Sequence, residues 1–285
     1  MKDKKIKKGI ISLICGRLGS TFISTVVRGI ENRINELKKH RVEIYSMNSI
    51  NPEETGKSIE KILKEKNSDG IIVISSSTDM KFLKNTKKYK IPIVFIERDY
   101  PGHHSVTVDN FKAGYNAGKY LLEKVKRKKI AVILDPQVKD KNSATYYRYE
   151  GFKKYLKEVN INVQNIFTTY VKYHTIEDGR NSFDLIYEHI KKIDGIFSVA
   201  GDLAAIGFMY EAKSYGIKFP DDIAIIGFDD VEMASAVEPP LTTIKQPILK
   251  LGEEAVNILE DVFNGKIKKP VKKVLESELI IRKTA

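Results

Sequence analysis

Short apolar runs alternate with amphipathic stretches along almost the whole chain. The runs Gly9–Cys15, Val42–Met47, Gly70–Ser75, Pro92–Ile96, Lys129–Leu134, Val163–Thr169, Gly195–Val199 and Ile223–Phe228 are mainly apolar, without polar alternation. That pattern predicts strands buried on both faces, as in a parallel sheet. Between them, Thr21–Lys39 carries Phe22, Val26, Val27, Ile30, Ile34 and Leu37 at helical spacing. Pro52-Glu53-Glu54 opens a second predicted helix, which reaches Lys66, with proline and acids in its first turn. Asp178–Lys192 and Leu203–Tyr215 follow the same logic, and Gly216 stops the latter.

Repeated strand–helix–strand units build doubly wound parallel sheets with right-handed crossovers. Four units precede residue 105 and about four follow residue 128, so two sheets fit better than one. The order then breaks. Pro239-Pro240 leads into a short predicted strand, Leu241–Lys245, then a helix from Pro247 to Phe263 and a last strand over Val271–Ile281. A late strand and helix after two complete sheets predict a chain that crosses back between lobes.

The chain has 285 residues, 42% of them hydrophobic, enough for one large domain or two lobes. Its single cysteine, Cys15, excludes an intrachain disulfide and a Cys-based zinc site and fits a reducing cytoplasm. Cys15 ends an apolar run and reads as a packing residue. No apolar run approaches the roughly 20 residues of a membrane span. Gly9–Cys15 is too short for a signal peptide and reads as a first strand behind the lysine-rich lead-in Lys2 to Lys8. Net charge is +12, but the lysines are spread beside glutamates and read as a solvated surface.

No phosphate-loop GxxxxGK[ST], HExxH or GxSxG occurs, and Gly16-Arg-Leu-Gly19 is only half a dinucleotide fingerprint. His103-His104 reads as an exposed loop pair without metal partners. Asp229 and Asp230 are adjacent, which does not set two acids across one bond. The chain therefore reads as a binding protein, with no catalytic residue, metal or cofactor.

Three segments carry a family resemblance. The first is Val106-Thr-Val-Asp109-Asn110 with Gly114, Ala117 and Gly118. The second is Arg148-Tyr-Glu-Gly151-Phe152. The third is Ile226-Gly227-Phe228-Asp229-Asp230 followed by Pro239-Pro240-Leu241-Thr242-Thr243-Ile244-Lys245-Gln246-Pro247. Together they resemble the effector-binding core of the lactose-repressor (LacI) family of bacterial transcription regulators, from about residue 7 to 283.

The resemblance implies an α/β fold of the type I periplasmic-binding-protein kind. Two doubly wound parallel-sheet lobes would be joined by three crossing strands, with ligand in the cleft. It implies an N-terminal lobe of 1–110 plus 246–267 and a C-terminal lobe of 111–241 plus 270–285. The crossings would fall near 110, 241–246 and 267–270. Regulators of this type carry a DNA-reading head before the first strand; a strand starting by residue 9 leaves no room for one. The head could be of the LacI or GntR type, or naturally absent.

Family ligand positions carry over one at a time. Arg148 matches an arginine that grips ligand oxygens, suited by its five-donor fork. Asp229 matches a carboxylate accepting from ligand hydroxyls; as a bare side chain it also reads as a cap for the turn at Val231. Glu97 and Arg98 follow the strand that ends at Ile96, where the family contacts ligand. Phe22 and His174 match positions that pack on ligand. Tyr146 and Asn142 lie a helical face from Arg148. Asp202 could cap its helix or touch ligand, and Gln246 could touch ligand or brace a hinge. The departures, Ser20-Thr21-Phe22-Ile23 and Gly201-Asp202, bear on which ligand is taken. The expected role is effector sensing by a cytoplasmic homodimer that reaches DNA only through a head. The expected effector is a small polar ligand, a sugar first; a purine, nucleoside or sugar phosphate stays open. The alternative is a transport binding protein of the ribose-binding type.

Overall fold

The computed structural model describes residues 9–47 and 51–285. The lead-in Lys2 to Lys8 lies outside them. The chain forms two compact units. Unit 1 holds the described residues up to Thr107 together with Pro247–Leu275, and unit 2 holds Val108–Gln246 and Glu276–Ala285.

Unit 1 contains β1 (Gly9–Cys15), α1 (Thr21–Leu37), β2 (His40–Ser46), α2 (Pro52–Glu65), β3 (Gly70–Ile74), α3 (Met80–Thr86), β4 (Ile93–Ile96) and β5 (His104–Val108). The late elements α9 (Ile248–Phe263) and β11 (Lys272–Leu275) complete it. Its sheet runs β11-β5-β4-β3-β1-β2, with β1 to β5 parallel. The inner strands β3 and β4 are wholly buried, because helices cover both faces. The edge strand β2 instead has no buried residue and exposes Arg41, Ile44 and Ser46. Here the expectation of uniform burial does not hold.

Unit 2 contains α4 (Asn110–Lys119), β6 (Ile130–Leu134), α5 (Ala144–Glu158), β7 (Phe167–Tyr170), α6 (Ile176–Asp184), β8 (Gly195–Ser198), α7 (Asp202–Ser214), β9 (Ala224–Asp229), α8 (Glu232–Ala236), β10 (Thr242–Lys245) and β12 (Glu278–Ile280). Its sheet runs β12-β10-β9-β8-β6-β7, parallel except for β12. Each unit thus repeats one winding, in which the second strand pairs outside the first and the rest add on the other side.

Several predicted elements differ from those observed. The strand expected over Val163–Thr169 begins only at Phe167, because Asn162 caps a tight turn over Val163–Asn165. The helix expected over Asp178–Lys192 stops at Asp184, and a separate tight helical turn covers Tyr187–Lys192. The single last strand divides at 276: β11 belongs to unit 1 and β12 to unit 2. The division between the units falls there rather than at 267–270. His103 and His104, expected in an exposed loop, are half-buried. His103 Nε2 meets the Thr86 hydroxyl at 3.2 Å, and His104 Nδ1 accepts the Val271 N–H.

Glycine pairs set three helix crossings. A Cβ on Gly114 of α4 would lie 1.8 Å from Arg148 O, and one on Gly151 of α5 would lie 1.9 Å from Phe111 O. Gly179 of α6 and Gly207 of α7 meet each other's backbones in the same way, as do Gly29 of α1 and Gly252 of α9. Each pair lets two backbones touch where any side chain would hold them apart.

Candidate functional site

In open α/β sheets, ligands meet the carboxyl ends of strands at the point where the strand order reverses. The backbone marks those ends. Among non-glycine residues with left-handed backbone, Lys38, Lys66, Lys90, Lys126 and Asn160 close helical turns, an ordinary role. Ser75 (φ 49°), Glu97 (58°), His174 (57°), Asp229 (112°) and Asp230 (57°) instead end or follow strands β3, β4, β7 and β9. Each such conformation costs about 1–3 kcal/mol and concentrates where function requires it.

In unit 2, the Gly114–Gly151 contact presses α5 against α4 and brings Arg148 to Asn110. Both are buried. Arg148 Nε and Nη2 donate to Asn110 Oδ1 at 3.3 and 3.2 Å, and Nη1 donates to Val199 O at 2.5 Å. The guanidinium carbon lies 3.3 Å from the Phe228 ring centroid. The cation is thereby oriented from its edge and its face together.

Asp229 ends β9, one residue beyond Phe228. Its Oδ1 accepts the Gln246 Nε2–H at 2.6 Å. A carboxylate only accepts, so the amide nitrogen of Gln246 faces it and Oε1 faces elsewhere. Gln246 Oε1 is buried and has no hydrogen-bond partner among the described residues. Burial pushes the Asp229 carboxyl above its usual range, while Arg148, the Gln246 bond and His174 oppose that rise. No side-chain bond caps α8, so the capping role open to Asp229 at Val231 is not the one it takes.

Asp202 neither caps α7, whose N-cap is Gly201, nor stands open to solvent; it is 1% exposed. Its Oδ1 accepts the Thr243 hydroxyl at 2.6 Å and its Oδ2 the Val231 N–H at 2.9 Å. A Cβ on Gly227 would lie 2.1 Å from that Oδ1. Gly227 makes room for this buried carboxylate, and Thr243 binds it. Burial, then the charge of Asp229, pushes Asp202 well above the usual carboxylate range.

His174 follows β7. Its Nδ1 lies 2.7 Å from Ala200 O, and its Nε2 lies 3.5 Å from Asp135 Oδ2. Asp135, directly after β6, is fully buried and also accepts the Gln137 N–H and the Thr145 hydroxyl. Asp229 is thus the centre of a polar set in unit 2: Gln246 bonds it, and the charges of Arg148 and His174 act on it. Asn142 does not join it: its backbone and side-chain N–H groups both donate to Asp140 Oδ1, before α5 begins. Tyr146 is half-buried on the first turn of α5, edge-on to Tyr147.

Unit 1 carries its own group. Glu97 and Arg98 follow β4 and are 4% and 2% exposed, not a solvated loop pair. Arg98 Nε donates to Ser75 O at 3.3 Å, and Ser75 N–H donates to Ile96 O at the end of β4. Phe22 is half-buried in the first turn of α1. Sequence reasoning missed Asn110 as the partner of Arg148, and missed Ser75, Asp135 and Thr243 as polar groups at strand ends. Only Asp135 gave a signal, a lone acid directly after an apolar run. Among the described residues no group of three His, Cys, Asp or Glu could hold a metal ion, and no helix is long and apolar enough to cross a membrane.

Residues 119–285 match the model of the periplasmic binding protein-like domain. The chain is 28% identical over 281 residues to the HTH-type transcriptional regulator DegA of Bacillus subtilis, covering 97% of this chain and 80% of that protein. It is 30% identical over 261 residues to the HTH-type transcriptional repressor PurR of Pectobacterium atrosepticum, covering 90% of this chain and 74% of that protein. Among solved structures it is similar to a periplasmic binding protein/LacI transcriptional regulator from Alkaliphilus metalliredigens complexed with D-xylulofuranose. The TM-score is 0.82 at 25% identity, over 97% of this chain and 99% of that one.

Proposed function

We propose, for a chain that belongs to the periplasmic binding protein-like domain family and within it to the LacI family of transcriptional regulators, that its effector-binding core takes a small neutral sugar at the carboxyl ends of the unit 2 strands. Its relatives are regulators and not enzymes.

The observation that carries this reading is the Asp229–Gln246 pair. Asp229 orients the Gln246 amide and leaves Oε1 buried and without a partner among the described residues. An unmet buried acceptor costs about 1–3 kcal/mol, which a ligand hydroxyl or amine N–H offsets. Arg148 supplies the complementary donors, and His174 a ring face for a sugar's C–H groups. A neighbour in structure holds D-xylulofuranose, a ligand of this chemistry.

As a homodimer working with a DNA-reading head in the cytoplasm, the chain would convert effector occupancy into operator affinity. The effector shifts that equilibrium only by its differential affinity for the two states. Sedimentation of the purified chain tests the dimer; a monomer at all concentrations would remove it from the proposal.

A thermal-shift screen against pentoses, pentuloses, hexoses, disaccharides, sugar phosphates and purines tests the ligand. A ligand of the folded state stabilises it by about 2.7 kcal/mol at a hundredfold excess over Kd. A shift with one neutral sugar, lost in Asp229→Asn, is expected. A shift only with a purine or a sugar phosphate would overturn the neutral-sugar assignment.

A further inference from the structure

We propose that Asp135 is a positioning residue of this site: it holds the Nε2 edge of His174, so that the ring meets ligand with its face and not with a bare nitrogen. This rests on the reading that the effector site lies at the carboxyl ends of the unit 2 strands.

The two groups that grip His174 come from the two strands where the sheet order reverses. Asp135 directly follows β6, and Ala200 follows β8, its neighbour in the order β12-β10-β9-β8-β6-β7. A carbonyl only accepts, so the 2.7 Å contact with Ala200 O places a proton on His174 Nδ1. The opposite edge then faces Asp135 Oδ2 at 3.5 Å. That distance is long for a hydrogen bond, and the attraction is that of an ion pair when the ring carries both protons. A neutral ring would turn a lone pair toward a carboxylate.

Asp135 itself cannot move aside. It is fully buried, its Oδ1 accepts the Gln137 N–H at 2.6 Å, and its Oδ2 accepts the Thr145 hydroxyl at 3.1 Å. Capping the tight turn that starts at Pro136 requires Oδ1 alone. The second oxygen, which the cap does not need, accepts from Thr145 and lies 3.5 Å from His174 Nε2. His174 keeps 37% of its side chain exposed while both nitrogens are engaged, so what it offers outward is its ring. Asp229, the other carboxylate that feels His174, lies within the ligand set. Asp178 on α6 is occupied in its own capping box with Thr175 and with the Tyr173 N–H.

The test is a long-range proton–nitrogen correlation spectrum of the 15N-labelled whole chain, which reads the two ring nitrogens of His174 separately. A proton on Nδ1 is expected in the parent protein and in Asp135→Asn, whose amide can still accept from Gln137 but no longer presents a carboxylate to Nε2, so the Nε2 resonance is expected to move. An Nδ1 without a proton in the parent protein overturns the proposal, whether or not the variant folds; so does an unchanged His174 spectrum in a folded Asp135→Asn. D-ribose and D-xylulose are then titrated into both proteins. Whichever binds the parent is expected to bind the variant about three- to tenfold more weakly; equal affinity overturns the positioning role. Failure of every sugar to bind would sink the proposed ligand class, and the spectrum would still decide Asp135.

Discussion

Arg148 stands over Phe228 with its guanidinium carbon 3.3 Å from the ring centroid. The two residues belong to α5 and β9, eighty positions apart, and Asp229 is the next residue after the ring. The contact therefore ties the site's cation to the strand that delivers its carboxylate. Stacking of this kind suits a planar guanidinium and not an ammonium.

Arg148→Lys keeps the charge and removes both the fork to Asn110 and the stack on Phe228. A loss of about 2–3 kcal/mol in stability is expected, the order of charge-assisted bonds left unmade in a buried place. Urea denaturation measures it. Stability within about 0.5 kcal/mol of the parent would show that the stack is not held as described.

Gly151→Ala puts a methyl against Phe111 O, where a Cβ would come within 1.9 Å. α5 must move off α4, carrying Arg148 with it. An overpacking cost of about 1–3 kcal/mol is expected, with loss of effector binding. The matching exposed change, Gly265→Ala, meets no atom within 4 Å and keeps effector binding, although its positive φ of 70° makes it mildly destabilising.

Asp202 makes stability depend on pH with a definite sign. Burial and the nearby Asp229 raise its carboxyl well above the usual range, so the folded state holds that proton more tightly than the unfolded chain. The contribution is fully present below the ordinary carboxylate midpoint and is lost as pH rises through the raised folded value. Asp202→Asn can donate to Thr243 and accept from Val231 without titrating. Its stability relative to the parent is expected to grow from about pH 4 toward neutral. Parallel urea-midpoint curves for the two proteins would contradict this.

Thr243→Val deletes the hydroxyl that donates to Asp202 at 2.6 Å. About 1–3 kcal/mol of destabilisation is expected in the parent background. In the Asp202→Asn background the effect should be smaller, because a neutral amide loses less than a carboxylate. A double-mutant cycle reads the difference, and strict additivity would deny the coupling.

Much of the fold was legible because its signals are local. Apolar runs such as Gly70–Ser75 and the helical spacing of Ile30, Ile34 and Leu37 report burial through nearest neighbours in sequence. The pattern failed where an element's surroundings decide it. β2 is only partly buried because it sits at a sheet edge, and the last strand splits because its halves pair in different units. Of the site, Arg148, Asp229, Gln246 and His174 came through a family likeness, and the structure joins them in one polar set. Asn142 bonds Asp140, and Asp202 bonds Thr243 and Val231, contacts that the likeness did not carry.

The sequence by itself determined that the chain alternates strand and helix, winds two parallel sheets and lacks the common catalytic motifs, while its resemblance to a known family pointed to regulators. Periodicity and motif spacing are one-dimensional, and one dimension carries them. Only the tertiary structure decided that Gly114 faces Arg148 O, that Gly227 makes room for Asp202, and that Asp135 and Ala200 hold His174 from two sides. Those relationships join residues tens of positions apart. They exist only after the sheet order has brought the ends of separate strands together, and no spacing along the chain encodes which atoms will then meet.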